Sequence, residues 1–344
     1  MTKINKNRKL KTKFLIRRIV TISVFLGLIL MLSSFFIKAE VSNKLVIGNI
    51  ENASISFKEN EFYKKYTINC TESITNFNPK EDMDKFQINL DKSKLLNIDI
   101  TKLDKFNSSE INIEDNKDLF TLTFNKLTGD ENYAHLDYGN DTRIMIFIKK
   151  KESSFKYNVV IDPGHGGVDV GAFYGKLCEK DLTLKISKYM VDNLRYNGYK
   201  VTLTRETDIM LDKIIKTDLV KRAYLANDAK ADVFVSVHIN SNTANVYNGV
   251  STYYYGESSS IQTDRVKLAK SVQKEILNDD SWKDMGTHGE DLSVLRNSKM
   301  PSVLVECGFL SNTSDSDKLS NETTLVNFGL NISNGIIKYL AEVK

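Results

Sequence analysis

The hydrophobic rhythm of the chain changes twice. Residues 19–37 form one apolar run without a charge. At ~1.5 Å per helical residue this run nearly spans a hydrocarbon core of about 30 Å, which predicts a transmembrane helix. From residue 44 to about 151 the pattern turns short and alternating, at 45–47, 53–57, 62–68, 85–90, 119–124 and 142–148. Segments rich in Asn, Asp and Lys separate these runs and no long helical spacing appears, so the stretch predicts a small all-β sandwich or barrel-like domain. From Tyr157 onward strands and helices alternate, the pattern of an α/β sheet. Residues 159–161, 200–205, 232–240, 251–255 and 301–306 read as strands. Leu182, Ile186, Met190 and Leu194 keep helical spacing up to a cap at Asn197-Gly198, and 219–229, 266–277 and 325–340 read as further helices. The expected order is a basic segment 1–18, an anchor 19–37, a linker 38–43, a β-rich domain 44–151 and an α/β domain 157–344.

Charge sharpens this picture. Residues 1–18 carry eight Lys and Arg and no acid, while the whole chain has a formal net charge of only +4, so everything after them is net acidic. A basic flank stays on the cytoplasmic side and sends the rest across. An acidic folded part argues against a nucleic-acid partner. A cleavable signal peptide competes with the anchor, but the apolar run is long for one, and Ile37-Lys-Ala-Glu40 offers no small-x-small cleavage site. The three cysteines, Cys70, Cys178 and Cys307, have no close spacing and make no disulfide framework. Strand alternation turns Cys307 away from the face used by Glu306.

Three strands of the α/β part end in residues able to hold or work with a metal. Val159-Val-Ile-Asp-Pro-Gly-His-Gly-Gly167 delivers His165 on a Pro/Gly turn, residues 232–240 deliver His238, and 301–306 end in Glu306. Glu179 opens a helix after the first loop, where its carboxylate can swing toward His165 or simply complement the helix dipole. Two His and one Glu form a hydrolytic zinc set that leaves a position for water. A further carboxylate must then move the proton, and Glu306, costly to bury in an apolar strand unless used, is the candidate. Asp162 can orient a histidine or cap its loop. His288, in Gly286-Thr-His-Gly289, reads as a solvated loop residue and His135 as a surface one; no metal spacing or phosphate loop occurs in the β-rich part.

Residues from about 157 to 344 resemble the zinc-dependent N-acetylmuramoyl-L-alanine amidases of the amidase-3 family. The ordered motifs are Val160-Ile-Asp-Pro-Gly-His-Gly-Gly167, Glu179-Lys-Asp-Leu-Thr-Leu184, Thr204-Arg-Glu-Thr-Asp208, Arg222 with Ala226-Asn227, Ser236-Val-His-Ile-Asn240, Leu295-Arg296 with Met300-Pro301, and Val305-Glu-Cys-Gly-Phe-Leu-Ser-Asn312. The resemblance implies a mostly parallel sheet flanked by helices and Zn2+ held by His165, Glu179 and His238. It also implies Glu306 as catalytic acid/base. The implied reaction is hydrolysis, by zinc-activated water, of the amide between N-acetylmuramic acid and the L-alanine of the peptidoglycan stem. Arg296 and Asn240 are candidate substrate contacts. With the anchor, the expectation is a single-pass membrane enzyme whose catalytic domain faces the cell wall, with a β-rich domain vaguely similar to wall-targeting modules and a possible protein activator. A zinc peptidase or deacetylase would use the same residues, and a non-catalytic wall-binding scaffold would keep the fold alone. Gly286-Thr-His-Gly-Glu-Asp291 departs from the family, which more often has an Arg-Gly pair there. The short stretch between Asn240 and Met300 predicts an open groove rather than a helix over the metal.

Overall fold

The computed structural model describes residues 55–343, apart from 75–76, 78, 83, 96–110, 126–131 and 151–154. The expected basic segment, anchor, linker and strand at 45–47 lie outside these residues. Among the described residues no helix is long and apolar enough to cross a membrane.

The first part is two four-stranded antiparallel sheets. One has the order β1 (Ile55–Glu59), β2 (Tyr63–Asn69), β8 (Asn140–Lys149) and β7 (Tyr133–Asp137). The other has the order β3 (Lys80–Glu81), β4 (Lys85–Asp91), β6 (Leu119–Asn125) and β5 (Ile111–Asp115). Strand alternation explains how they meet: Tyr66, Ile68, Ile144, Ile146 and Ile148 of the first sheet pack on Phe86, Ile88, Leu90, Leu122 and Phe124 of the second. Strands β3 and β5 carry too few apolar positions to stand out in the sequence, and β7 (YAHLD) lacks a clean alternation.

The second part is built on a six-stranded sheet of order β12 (Lys200–Leu203), β9 (Asn158–Pro163), β13 (Val233–Asn240), β16 (Ser302–Phe309), β14 (Val250–Tyr255) and β15 (Asp284–Glu290). A separate hairpin pairs β10 (Phe173–Tyr174) with β11 (Leu177–Cys178). Four neighbouring strands of the large sheet run parallel, but β14 is antiparallel to β16, so the sheet is mixed. The middle strands β9, β13 and β16 are buried on both faces, which is why they read as nearly continuous apolar runs.

Both faces are covered. On one, the sheet packs on α1 (Glu179–Tyr196), α3 (Gln262–Ile276) and α6 (Glu322–Glu342), through side chains such as Ile186, Met190, Leu194, Leu268, Val272 and Ile332. Full burial of one such aliphatic side chain contributes about 1.5–3 kcal/mol. Cys307 is buried in this core, on the face opposite Glu306 as alternation requires. On the other face, Val160, Phe234 and Leu304 meet α2 (Ile215–Asp228) and the short α4 (Ser293–Arg296).

Helix ends follow their chemistry. Helix α1 stops where Gly198 takes φ +83°, with Gly198 N–H donating to Arg195 O and Tyr199 N–H to Leu194 O. Asn312 caps α5 (Thr313–Leu319) by accepting from Asp315 N–H at 3.3 Å, and Asn321 caps α6 through Thr323 N–H at 2.9 Å. Residues 53–344 form one compact unit, in which α1 touches the first part. There Tyr189 Oη donates to Asp137 at 3.0 Å and Asn60 Nδ2 to Tyr196 O at 2.7 Å.

Candidate metal centre and catalytic carboxylate

Strand β9 ends at Pro163, and the chain then turns so sharply that His165 takes φ +62°, a conformation non-glycine residues rarely adopt. Two buried arginines hold this turn. Arg222 donates to Pro163 O at 2.7 Å and His165 O at 2.7 Å; Arg205 donates to Pro163 O at 3.0 Å and Gly164 O at 2.9 Å. Their side chains need counter-charges this deep, and Arg222 finds Asp218 at 2.6 Å and Asp162 at 2.9 Å. Burial disfavours a charge on Asp162, but Arg222, Thr204 and Ser236 outweigh it and keep the carboxyl below its ordinary range. Burial and the neighbouring Arg222 pull the Arg205 guanidinium down to about 10, which leaves it charged at neutral pH. Asp162 thus anchors Arg222; among the described residues it bonds no histidine, so the orienting role considered for it belongs to another residue.

That residue is Asp169, whose Oδ2 lies 2.9 Å from His165 Nδ1. Its bond leaves His165 Nε2 free to point inward, 3.2 Å from Glu179 Oε1. His238, from the end of β13, brings its Nδ1 to 3.0 Å of the same oxygen. Glu179 is the first residue of α1 and only 4% exposed; its carboxylate accepts N–H bonds from Ile239 at 3.0 Å and Ala172 at 2.7 Å. Burial alone would raise its pKa, but the two histidines hold it far below the carboxylate range. Burial likewise opposes charge on His165, yet Glu179 and Asp169 raise it to about 9. Two nearby positions tolerate only glycine. A Cβ on Gly164 would run into the His238 ring, and one on Gly171, at φ +66°, would collide with Glu179 and His165.

The three expected ligands therefore converge, with their ligand atoms all within 4.8 Å of one another. Two imidazole nitrogens and one carboxylate oxygen, backed by Asp169, form a donor set that suits a divalent metal and zinc in particular. Glu306 lies beside it, in register with His238 across the β13–β16 ladder. Its Oε2 is shut off from solvent and has no hydrogen-bond partner among the described residues. Burial, reinforced by Glu179 and opposed by the histidines, pushes its carboxyl up to about 7. That is the range of a group able both to accept and to return a proton.

The other candidates lie apart. Arg296 ends α4, exposed and paired with Asp291, and Asn240 Oδ1 accepts from Ser241 N–H at 2.8 Å; neither touches the cluster through a bond among the described residues. His288 is exposed as expected, but it sits on edge strand β15 rather than in a loop, with Nε2 2.6 Å from Met285 O. His135 is not a surface residue. It is partly buried, stacked between Tyr138 and Tyr133, with Nε2 3.0 Å from Asp192 of α1. Its isolation in the sequence hid this, because the partner is 57 residues away. Asp169 and Asp218 were also missed. The first follows His165 by four residues and the second precedes Arg222 by four, spacings that signal a pair only once a turn or helix is known.

Comparison with known proteins agrees with this geometry. The family model described as N-acetylmuramoyl-L-alanine amidase matches residues 159–338. A germination-specific N-acetylmuramoyl-L-alanine amidase of Bacillus subtilis is 33% identical over 195 residues, which cover 54% of this chain and 80% of the relative. An uncharacterized protein of the same organism is 37% identical over 185 residues, 53% of this chain and 84% of that one. The crystal structure of an N-acetylmuramoyl-L-alanine amidase from Clostridium difficile 630 aligns with 34% identity and a TM-score of 0.51, over 56% of this chain and all of the other. The matched stretch holds both histidines, both glutamates and the mixed sheet that positions them, and the chain belongs to the N-acetylmuramoyl-L-alanine amidase family.

Proposed function

We propose that this chain is a zinc-dependent peptidoglycan hydrolase that cuts the amide between N-acetylmuramic acid and the L-alanine of the stem peptide. The observation that carries the reading is the pairing of the His165–Glu179–His238 cluster with a carboxylate on the adjoining strand, Glu306, whose buried Oε2 has no partner among the described residues. His165, Glu179 and His238 would hold the zinc, which would supply Lewis-acid chemistry at the amide carbonyl and lower the pKa of water. Glu306 takes the proton from the attacking water and delivers it to the departing alanine nitrogen. Asp169 fixes the ring of His165, and the Arg205–Arg222 pair holds the backbone that carries it. The histidines keep 23% and 15% of their side-chain surface exposed, which suits a long polymer lying across an open groove. The segment between Asn240 and Met300 also favours such a groove, because its helix α3 packs into the core beside α6.

The apolar run at 19–37 anchors the protein in the membrane, and its basic flank keeps residues 1–18 in the cytoplasm, so the enzyme faces the wall. The two N-terminal sheets hold the catalytic part near the wall polymer. The test is digestion of intact peptidoglycan by the zinc-loaded protein, with mass spectrometry of the products. Free stem peptides beginning in L-alanine establish the bond; acetate or internally cut peptides would replace this reading with a deacetylase or a peptidase.

A further inference from the structure

Helix α1 carries Glu179 at its first turn and Arg195 at its last. At the Arg195 end, remote from the metal cluster, a cavity of about 230 Å3 opens between β2, β7 and the start of β12. We propose that this cavity is a second binding site, for a small carboxylate such as the C-terminus of a short peptide.

Two buried donors point to a ligand. Asn132 is 5% exposed; its Oδ1 accepts Lys149 N–H at 2.8 Å, while its Nδ2 has no partner among the described residues. The Tyr133 hydroxyl is equally buried and equally without a partner. Leaving two such groups unpaired is unfavourable, and a bound acceptor removes that cost. Burial pushes the Tyr133 phenol well above its usual range, so it stays a donor at neutral pH.

The same lining is cationic. The Arg195 guanidinium lies 5.3 Å over the Tyr133 ring and donates to Val201 O at 3.2 Å. Its planar fork has five donors, so most remain for an oxyanion. Lys200, exposed at the cavity's edge, adds a second positive charge. Tyr63, Phe155 and Val201 supply carbon surface around these groups. Aromatic walls beside a planar guanidinium and two neutral donors suit a monoanionic carboxylate on a carbon body better than a hydrated phosphate. The volume lies below the ~300–1,000 Å3 of drug-sized sites, so the fit is to a fragment of about one residue.

The inference rests on the peptidoglycan reading only for the source of the carboxylate, since stem peptides end in one. The test is calorimetric titration of the full chain in detergent with N-acetyl-D-alanine and, separately, with inorganic phosphate. N-acetyl-D-alanine should bind saturably, about tenfold more weakly after Tyr133→Phe and unchanged after Glu306→Gln. Because Tyr133→Phe removes only a partnerless hydroxyl, its melting temperature should not fall, which separates lost binding from lost folding. The site is disproved by absence of saturable binding, by equal binding in Tyr133→Phe, or by phosphate binding as tightly as the carboxylate. An active amidase that fails to bind the probe sinks this inference alone. Binding by a protein that releases no stem peptide leaves it standing and sinks the proposed reaction.

Discussion

His238 and Glu306 stand opposite each other in the register of two neighbouring parallel strands, so a candidate metal ligand and the proposed proton carrier stand side by side at the end of the sheet. Their spacing is fixed by the ladder rather than by a loop, which suits chemistry that needs both at one substrate atom.

Glu306→Gln keeps the shape and removes the proposed proton acceptor. Release of stem peptide should fall by about 10²–10⁴ while the zinc content, measured by atomic emission, stays at the wild-type level. Loss of zinc along with activity would instead make Glu306 a ligand.

Asp169→Asn should weaken zinc binding by about 10–100-fold, because the hydrogen bond that sets the His165 ring is diminished. Competition against a chromophoric chelator measures this directly. An unchanged affinity would mean that the backbone turn alone orients His165.

Arg222→Met strips the charge facing Asp162 and Asp218 and frees the carbonyls of Pro163 and His165. Removing one partner of a buried ion pair costs about 3–5 kcal/mol. Urea denaturation should show a loss of that size, and a loss under about 1 kcal/mol would show the turn to be self-supporting.

The His135–Asp192 contact ties part of the stability to pH. Burial works against a charged His135, but Asp192 and the Leu136 carbonyl outweigh it and raise its pKa in the folded protein. A raised folded value means that the pair's contribution is complete below the unfolded pKa of about 6.5 and is lost as pH climbs through the folded value. Melting temperatures of wild type and Asp192→Asn, taken from pH 5.5 to 9, should therefore differ most at the acid end and converge at the alkaline end. A gap that widens with pH would reverse the assignment.

The α/β half was legible because its middle strands are buried on both faces and its candidate site residues sit where those strands stop. His165, His238 and Glu306 each follow an apolar run, and Glu179 opens a helix whose spacing is plain. Strand β14 was legible at 251–255, but its antiparallel direction was not, since side-chain alternation carries no direction. Helix α5 was hidden because seven residues, TSDSDKL, offer one apolar position. His135 and Asp169 needed a partner in space: one lies on a helix far along the chain, and the other acts only once Gly166 and Asp169 close their small bridge.

Helix α1 has a consequence for how the molecule can be divided. It starts at a candidate metal ligand, Glu179, and, about 27 Å later, ends against the N-terminal sheets. Its Tyr189, Asp192 and Tyr196 all contact groups or rings upstream of residue 150, Tyr189 sharing its hydroxyl between Asp137 and Glu322. A protease or gene fusion that severed the chain near residue 155 would thus bare an aromatic and acidic flank on the helix that positions Glu179. The upstream sheets act as the foundation for one wall of the reaction site, and the two halves are expected to be lost or kept together.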